Sequence, residues 1–342
     1  MDFSKLYHKL PKKIKDSEKM TLYLMRVYNL ITKHKKSNEK PNQLMNFLFK
    51  STNIQASGTL RDMQLVFLEL LRFVANVCDK YDLDYWILYG TLLGAVRHDG
   101  FIPWDDDLDI GMMRKDYNKL MEVLPIEINK YDFFKEKCGL TRLVTQDENY
   151  FKDFYSVYDF GNDEHFEKFG FSKSLFLQLA WLKPYIKLDI FPFDYVKNES
   201  VEYYNKNYLG HKYFYRTLFN EGYSLDEHFD EQFSKVGCCI DETDFIGEGI
   251  DATFFDDFGV FNTDFIFPLK TINFEGYEFK APNKPHELLK LWYGDSYMDI
   301  PSDLWIHNFS EHNEKLFASK EEMDESFKKT LQYLKEINDN FS

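Results

Sequence analysis

Four aspartates, Asp105, Asp106, Asp107 and Asp109, stand inside a frame of bulky apolar residues: Phe101, Ile102, Trp104, Leu108 and Ile110. A solvated turn explains most aspartate runs, but it does not carry such a frame. The chain must bury these apolar neighbours while keeping the acids at the margin of the core. An ionised carboxylate enters a core only when it is paired, hydrogen-bonded or bound to a cation. From Asp107 to Met112 apolar and polar residues alternate, which predicts a strand. On that strand Asp107 and Asp109 share one face, and Leu108 and Ile110 point into the core. Asp105 has the same parity as Asp107, whereas Asp106 points the other way and reads as structural.

Two carboxylates one pleat apart repel each other, so the pair takes up a proton or a cation. A hard divalent cation, Mg²⁺ or Mn²⁺, resolves the repulsion by accepting carboxylate and phosphate oxygens together. A third acid, Asp189, sits inside the apolar run Ile186–Phe191, a second predicted strand that Pro192 is expected to close. Lys187 shares the Asp189 face and is a candidate to offset anionic charge; a solvated strand-edge lysine is its plain alternative.

The segment before the acids has its own logic. Apolar residues recur at helical spacing from Thr59 to Tyr81, with Thr59 as the expected cap. Tyr85–Tyr89 reads as a buried strand, Gly90-Thr91 as a turn, and Leu92–Arg97 as a short helix. Glycine at a strand-to-helix junction lets backbone N–H groups approach a phosphate, and the helix N-terminus adds favourable partial charge. A lone Gly-Thr pair is an ordinary turn; here it precedes the acids. Arg97 and His98 lie between the turn and the acids and are candidate phosphate contacts, Arg97 in bidentate fashion, with a plain surface role as the alternative.

Further along, Asp116–Leu124 predicts a helix, residues 125–180 mixed short strands and loops, and 198–235 partial helix. Residues 236–265 read as an acidic loop and Phe274–Phe279 as a hairpin. Pro285–Tyr293 predicts a helix that Gly294 ends, and Ser319–Ile337 an amphipathic closing helix. The fold class is α+β. The expected organisation is a basic helical extension over 1–58, a catalytic domain over 59–318 and a C-terminal helix over 319–342.

Composition bounds the function. The 342 residues are 44% hydrophobic and carry a net charge of −15, which argues against nucleic acid as a partner. The charge is uneven: residues 1–50 carry net +8 and the remainder −23. A Lys-rich arm of this kind suits peripheral contact with an anionic membrane face; a solvated helical extension is the alternative. The cysteines, Cys78, Cys138, Cys238 and Cys239, lack metal-ligand spacing and read as reduced thiols of an intracellular, cytoplasmic protein. The first residues form no apolar signal core, and no apolar run is long enough to span a membrane.

Together these parts describe a polymerase-β-like nucleotidyltransferase core, a mixed sheet flanked by helices. The segment Tyr89–Ile110 closely resembles the signature of the LicD family, which includes the fukutin-related transferases. Lys187–Pro192 resembles that family's second block. Phe267-Pro268, Phe274-Glu275-Gly276, Pro282, Leu291–Asp295 and Pro301 resemble its C-terminal block. The resemblance implies a phosphotransferase that moves a substituted phosphate, phosphocholine or ribitol phosphate, from a CDP-activated donor to a glycan hydroxyl, releasing CMP. It implies Asp107 and Asp109 as metal ligands and Asp189 as a third ligand or the base for the acceptor hydroxyl. Gly90 and Thr91 would hold the donor phosphates. A choline group favours aromatic walls, and Trp292, Tyr293, Tyr297 and Trp305 are candidates, with plain core packing as the alternative. Two other readings share the fold: a nucleotidyltransferase that releases pyrophosphate, and a non-catalytic glycan-binding relative.

Overall fold

The computed structural model describes residues 55–131, 175–178, 187–208, 225–250, 259–300 and 319–341. The basic arm, the acidic-aromatic middle from 132 to 174, Cys138, Pro301 and Trp305 lie outside them. Helix α1 spans Thr59–Lys80, close to expectation, but its N-cap is Gly58 and no side chain caps it. A missing cap costs about 1 kcal/mol. Fully burying Phe67, Leu70, Phe73 and Val74 contributes about 1.5–3 kcal/mol each, so packing and not capping sets this helix.

Strand β1 (Trp86–Ile87) is shorter than the apolar run suggested, because the chain turns helical at Tyr89 to form α2 (Tyr89–His98). Strand β2 is Asp109–Met113 and leads straight into α3 (Arg114–Ile128). After β3 (Leu175–Gln178) comes β4, ten residues from Lys187 to Val196. Pro192 does not close β4, contrary to expectation. It falls in the gap between the two antiparallel neighbours, β3 pairing at Lys187–Ile190 and β6 (Phe245–Glu248) at Phe193–Val196. A proline lacking an N–H is tolerated where no partner needs one.

Helix α4 spans Leu225–Val236, and residues 201–208 are also helical. The region expected as an acidic loop instead contributes β5 (Cys238–Cys239), β6 and β7 (Phe261–Asn262). Its strands are too short for a periodic signal, and pairing forms them, β5 and β6 against β4 and β7 against β6. Among the described residues the main sheet is mixed and has seven strands, in the order β1-β2-β4-β6-β7 with β3 and β5 also on β4. The pair β2–β4 is parallel, and β4 is antiparallel to β3, β5 and β6.

A separate hairpin, β8 (Lys270–Phe274) and β9 (Tyr277–Ala281), turns through Glu275 at φ 52 and Gly276 at φ 84. Two successive positive φ angles match the twist of a two-residue hairpin. Helix α5 is Pro285–Tyr293, ended at Gly294, as expected. Helix α6 is Lys320–Asp339, and Ser319 Oγ accepts from Glu322 N–H at 3.2 Å.

The sheet separates two cores. On one face Ile87, Ile110, Met112, Leu188 and Ile190 pack with α1, α3 and α6. On the other, Trp86, Met113, Phe191, Phe193 and Ile246 pack with Tyr89 and with Leu288 of α5. Asp109 and Asp189 have the parity of this second face, which therefore carries charge inside an aromatic layer. Cys78, Cys238 and Cys239 are free thiols. No helix among the described residues is long and apolar enough to cross a membrane.

Candidate active site

The first acid pair is made by strand register. Asp109 opens β2 and lies directly beside Asp189 of β4 in the parallel ladder, and Asp189 N–H donates to Leu108 O at 2.9 Å. Register partners on parallel strands present their side chains to the same face. Both are buried, Asp109 at 7% and Asp189 at 2% exposed. Eighty residues separate them in the chain, yet the sheet brings them to neighbouring positions.

Asp107 lies outside the strand, which begins two residues later than the alternation suggested. It belongs to a loop whose acids interact differently. Asp105 is hydrogen-bonded to Asp107, and its carboxyl is pushed well above the usual range, first by burial and then by the Asp107 charge. Burial and the Asp107 charge thus both oppose ionisation of Asp105. Asp106 is buried.

The turn before the acids is built by Tyr89, Gly90 and Thr91, which form the first turn of α2. Tyr89, not Gly90, takes the positive φ, at 40. A bulky residue there costs about 1–3 kcal/mol and persists only where its surroundings over-determine it. Its ring packs edge-on against Phe191 at 5.5 Å and Trp292 at 4.8 Å. Gly90 is needed for close approach: a Cβ there would stand 3.0 Å from Asp105 Oδ2. Thr91 is buried, and its hydroxyl accepts from Asp109 N–H at 2.9 Å. Thr91 thus ties α2 to the start of β2.

Residues far from the signature hold the acid loop. Gln64 of α1, 1% exposed, donates from Nε2 to Asp105 O at 2.9 Å and to Ile102 O at 3.3 Å. Arg61 pairs with both oxygens of Glu275 at 2.9 and 2.6 Å, and Glu275 Oε1 accepts from Phe101 N–H at 3.2 Å. Burial opposes ionisation of Glu275, but Arg61 and the Phe101 N–H hold its carboxyl below the ordinary range. Sequence reading missed Gln64 and Arg61, because neither carries a local signal. Glu275 was visible as part of the Phe274–Phe279 hairpin and of the family's C-terminal block, not as an anchor of the acid loop.

Gly94 makes the tightest backbone approach in this region. A Cβ there would meet Gly100 O at 2.5 Å and Ile102 N at 3.3 Å, backbone atoms that cannot rotate away. Gly94→Ala is expected to destabilise the protein by about 1–3 kcal/mol, lowering the melting temperature by about 2–4 °C per kcal/mol. A thermal melt within about 1 °C of wild type would contradict this.

Arg97 donates through Nη1 to Tyr297 O at 2.9 Å and through Nε to His98 Nε2 at 3.0 Å. Burial, then the Arg97 charge, lowers His98 to about 4, so His98 is neutral at pH 7 and supplies no positive charge for a phosphate. Lys187 opens β4, two residues before Asp189. Of the candidate aromatic walls, Trp292 packs on Tyr89. Tyr293 lies near the acids: its phenol is pushed up by desolvation and then by Asp109, Asp105 and Asp107. Tyr297 is buried, with its hydroxyl 2.5 Å from His286 Nδ1, so it is committed to packing.

The donor chemistry fits a hard divalent cation. Among the described residues no group of three or more His, Cys, Asp or Glu is gathered to hold a metal alone. Mg²⁺, however, is usually bound through one or two carboxylates together with substrate phosphates, and the Asp109–Asp189 pair supplies two.

A mixed sheet with acids on adjacent strands beside a strand–turn–helix unit defines a nucleotidyltransferase-like core. A family model described as "LicD/FKTN/FKRP, nucleotidyltransferase domain" matches residues 82–221. It is 48% identical over 65 residues to "Lipopolysaccharide cholinephosphotransferase LicD" of Haemophilus influenzae, 19% of this chain and 24% of that protein. It is 44% identical over 48 residues to "Ribitol 5-phosphate transferase FKRP" of human and of mouse, 14% of this chain and 10% of each. The matched segment thus spans about a quarter or less of these curated relatives.

Proposed function

We propose that this protein transfers a substituted phosphate, phosphocholine first among the candidates, from a CDP-activated donor to a hydroxyl of a cell-surface glycan or glycan precursor. The observation that carries this reading is the register pairing of Asp109 with Asp189 beside the Tyr89–Thr91 turn. The relative named as a cholinephosphotransferase supports the choice of phosphocholine.

In the proposed reaction the acceptor hydroxyl oxygen forms a new bond to the phosphorus that bears choline. The bond from that phosphorus to the bridging oxygen breaks, and CMP leaves with the electron pair. Asp189 takes the hydroxyl proton; Asp109 and Asp189 would hold a divalent cation, with Asp107 as a further candidate ligand. Bound Mg²⁺ or Mn²⁺ would neutralise charge on the donor diphosphate and the leaving CMP. The first-turn N–H groups of α2 at Gly90 and Thr91, with Arg97 and Lys187, receive the phosphates.

The test incubates the purified chain with CDP-choline, CDP-ribitol and CTP, each with Mg²⁺ and with EDTA, in the presence of glycan acceptors. Mg²⁺-dependent CMP release from CDP-choline is the expected result. Pyrophosphate release from CTP would replace this reading with nucleotide activation. CMP release undiminished by EDTA would remove the metal from it.

A further inference from the structure

We propose that Glu248 is a positioning residue of this site, acting through the hydroxyl of Tyr89. Glu248 lies outside the matched family segment, in the region that reads from sequence as a loop, and ends strand β6. Its Cα partner is Phe193 of β4, so it has the parity of Phe193, Phe191 and Asp189 and faces the same side of the sheet. It is 5% exposed. Two phenols donate to it: Tyr89 to Oε1 at 3.3 Å and Tyr208 to Oε2 at 3.0 Å.

Tyr89 is the residue whose left-handed backbone opens α2. Packing against Phe191 and Trp292 fixes its ring plane, and the bond to Glu248 fixes its far end. Releasing that end lets the backbone relax toward ordinary φ, and Gly90 and Thr91 follow it. Thr91 Oγ1 then no longer meets Asp109 N–H. The chain of dependence runs from Glu248 to Tyr89, to the first turn of α2, to the position of Asp109. Tyr208 shares its one hydroxyl proton between the other carboxylate oxygen and Gly249 O at 3.1 Å.

The proposal rests on the reading above only for its turnover measurement. The full-length chain is compared as wild type, Tyr89→Phe, Tyr208→Phe, Glu248→Ala and the Tyr89→Phe/Glu248→Ala double variant. The first readout is amide hydrogen exchange at Leu92 and Asp109, whose N–H groups bond Leu88 O and Thr91 Oγ1. Both amides are expected to exchange about fivefold faster or more in Tyr89→Phe and Glu248→Ala, with α6 unchanged. In Tyr208→Phe they keep wild-type rates. The second readout is kcat for CMP release from CDP-choline with Mg²⁺. It is expected to fall about 10- to 100-fold in either single variant and no further in the double, because both changes break one bond.

Unchanged exchange at Leu92 and Asp109 in Tyr89→Phe overturns the proposal. Equal effects of Tyr89→Phe and Tyr208→Phe, or losses that multiply in the double variant, do the same. If Glu248→Ala does not fold, Tyr89→Phe against Tyr208→Phe decides alone. If wild type releases no CMP, the donor reading fails while the exchange measurement still judges this one.

Discussion

Asp189→Asn and Asp109→Asn are each expected to reduce transfer by about 10³-fold or more, without loss of fold. The two carboxylates are register partners, buried on the same face of the sheet. Asparagine keeps their size and removes one negative charge. In the proposed site that removes a cation ligand, and at position 189 also the group that takes the acceptor proton. Two buried like charges oppose folding when no cation lies between them, so removing one leaves stability unchanged or raises it. The signature is therefore a pair of measurements: CMP release with Mg²⁺ collapses while the thermal midpoint holds or rises. Turnover near wild type in either variant would remove that residue from the machinery. A midpoint falling with turnover would mean the carboxylate served the fold.

Arg114→Met is expected to have the largest effect on stability, a loss of about 3–5 kcal/mol in urea unfolding. Arg114 opens α3, and its Nε and Nη2 meet both Asp194 oxygens at 2.8 Å. The Asp194 side chain is 0% exposed, and the guanidinium also lies over the Phe229 ring at 4.9 Å. Losing the guanidinium leaves the Asp194 charge buried without its main compensation, which costs far more than an exposed pair would. The double variant Arg114→Met/Asp194→Leu should recover most of the loss, since a neutral apolar pair of similar volume needs no cation. Asp194 has the opposite parity to Asp189 on β4, so folded Arg114→Met should retain its turnover. A stability change under about 1 kcal/mol would show that this pair does not hold α3 to the sheet.

Much of the local architecture was legible because side-chain periodicity is a local property. The apolar spacing of α1, the Pro-to-Gly bounds of α5 and the Glu275-Gly276 turn each report a residue's immediate setting, and the structure agrees within a residue or two. The failures have one cause. Alternation from Asp107 suggested a longer strand, but a strand begins where a partner accepts its backbone bonds, here at Asp109. Pro192 read as a stop because its missing N–H was counted without knowing which neighbour stood beside it. The region 236–265 read as loop because two- and four-residue strands have no period to detect.

The site divides the same way. The acids, the Gly-Thr step and the apolar frame around them are covalent neighbours, so the order of residues alone placed them in one segment. Only the folded chain decided that Asp189 stands beside Asp109, that Gln64 and Glu275 grip the acid loop, and that Glu248 meets Tyr89. Those pairings depend on sheet register and on side chains meeting across long stretches of chain, and a one-residue slip in register would send every one of those strand carboxylates to the opposite face.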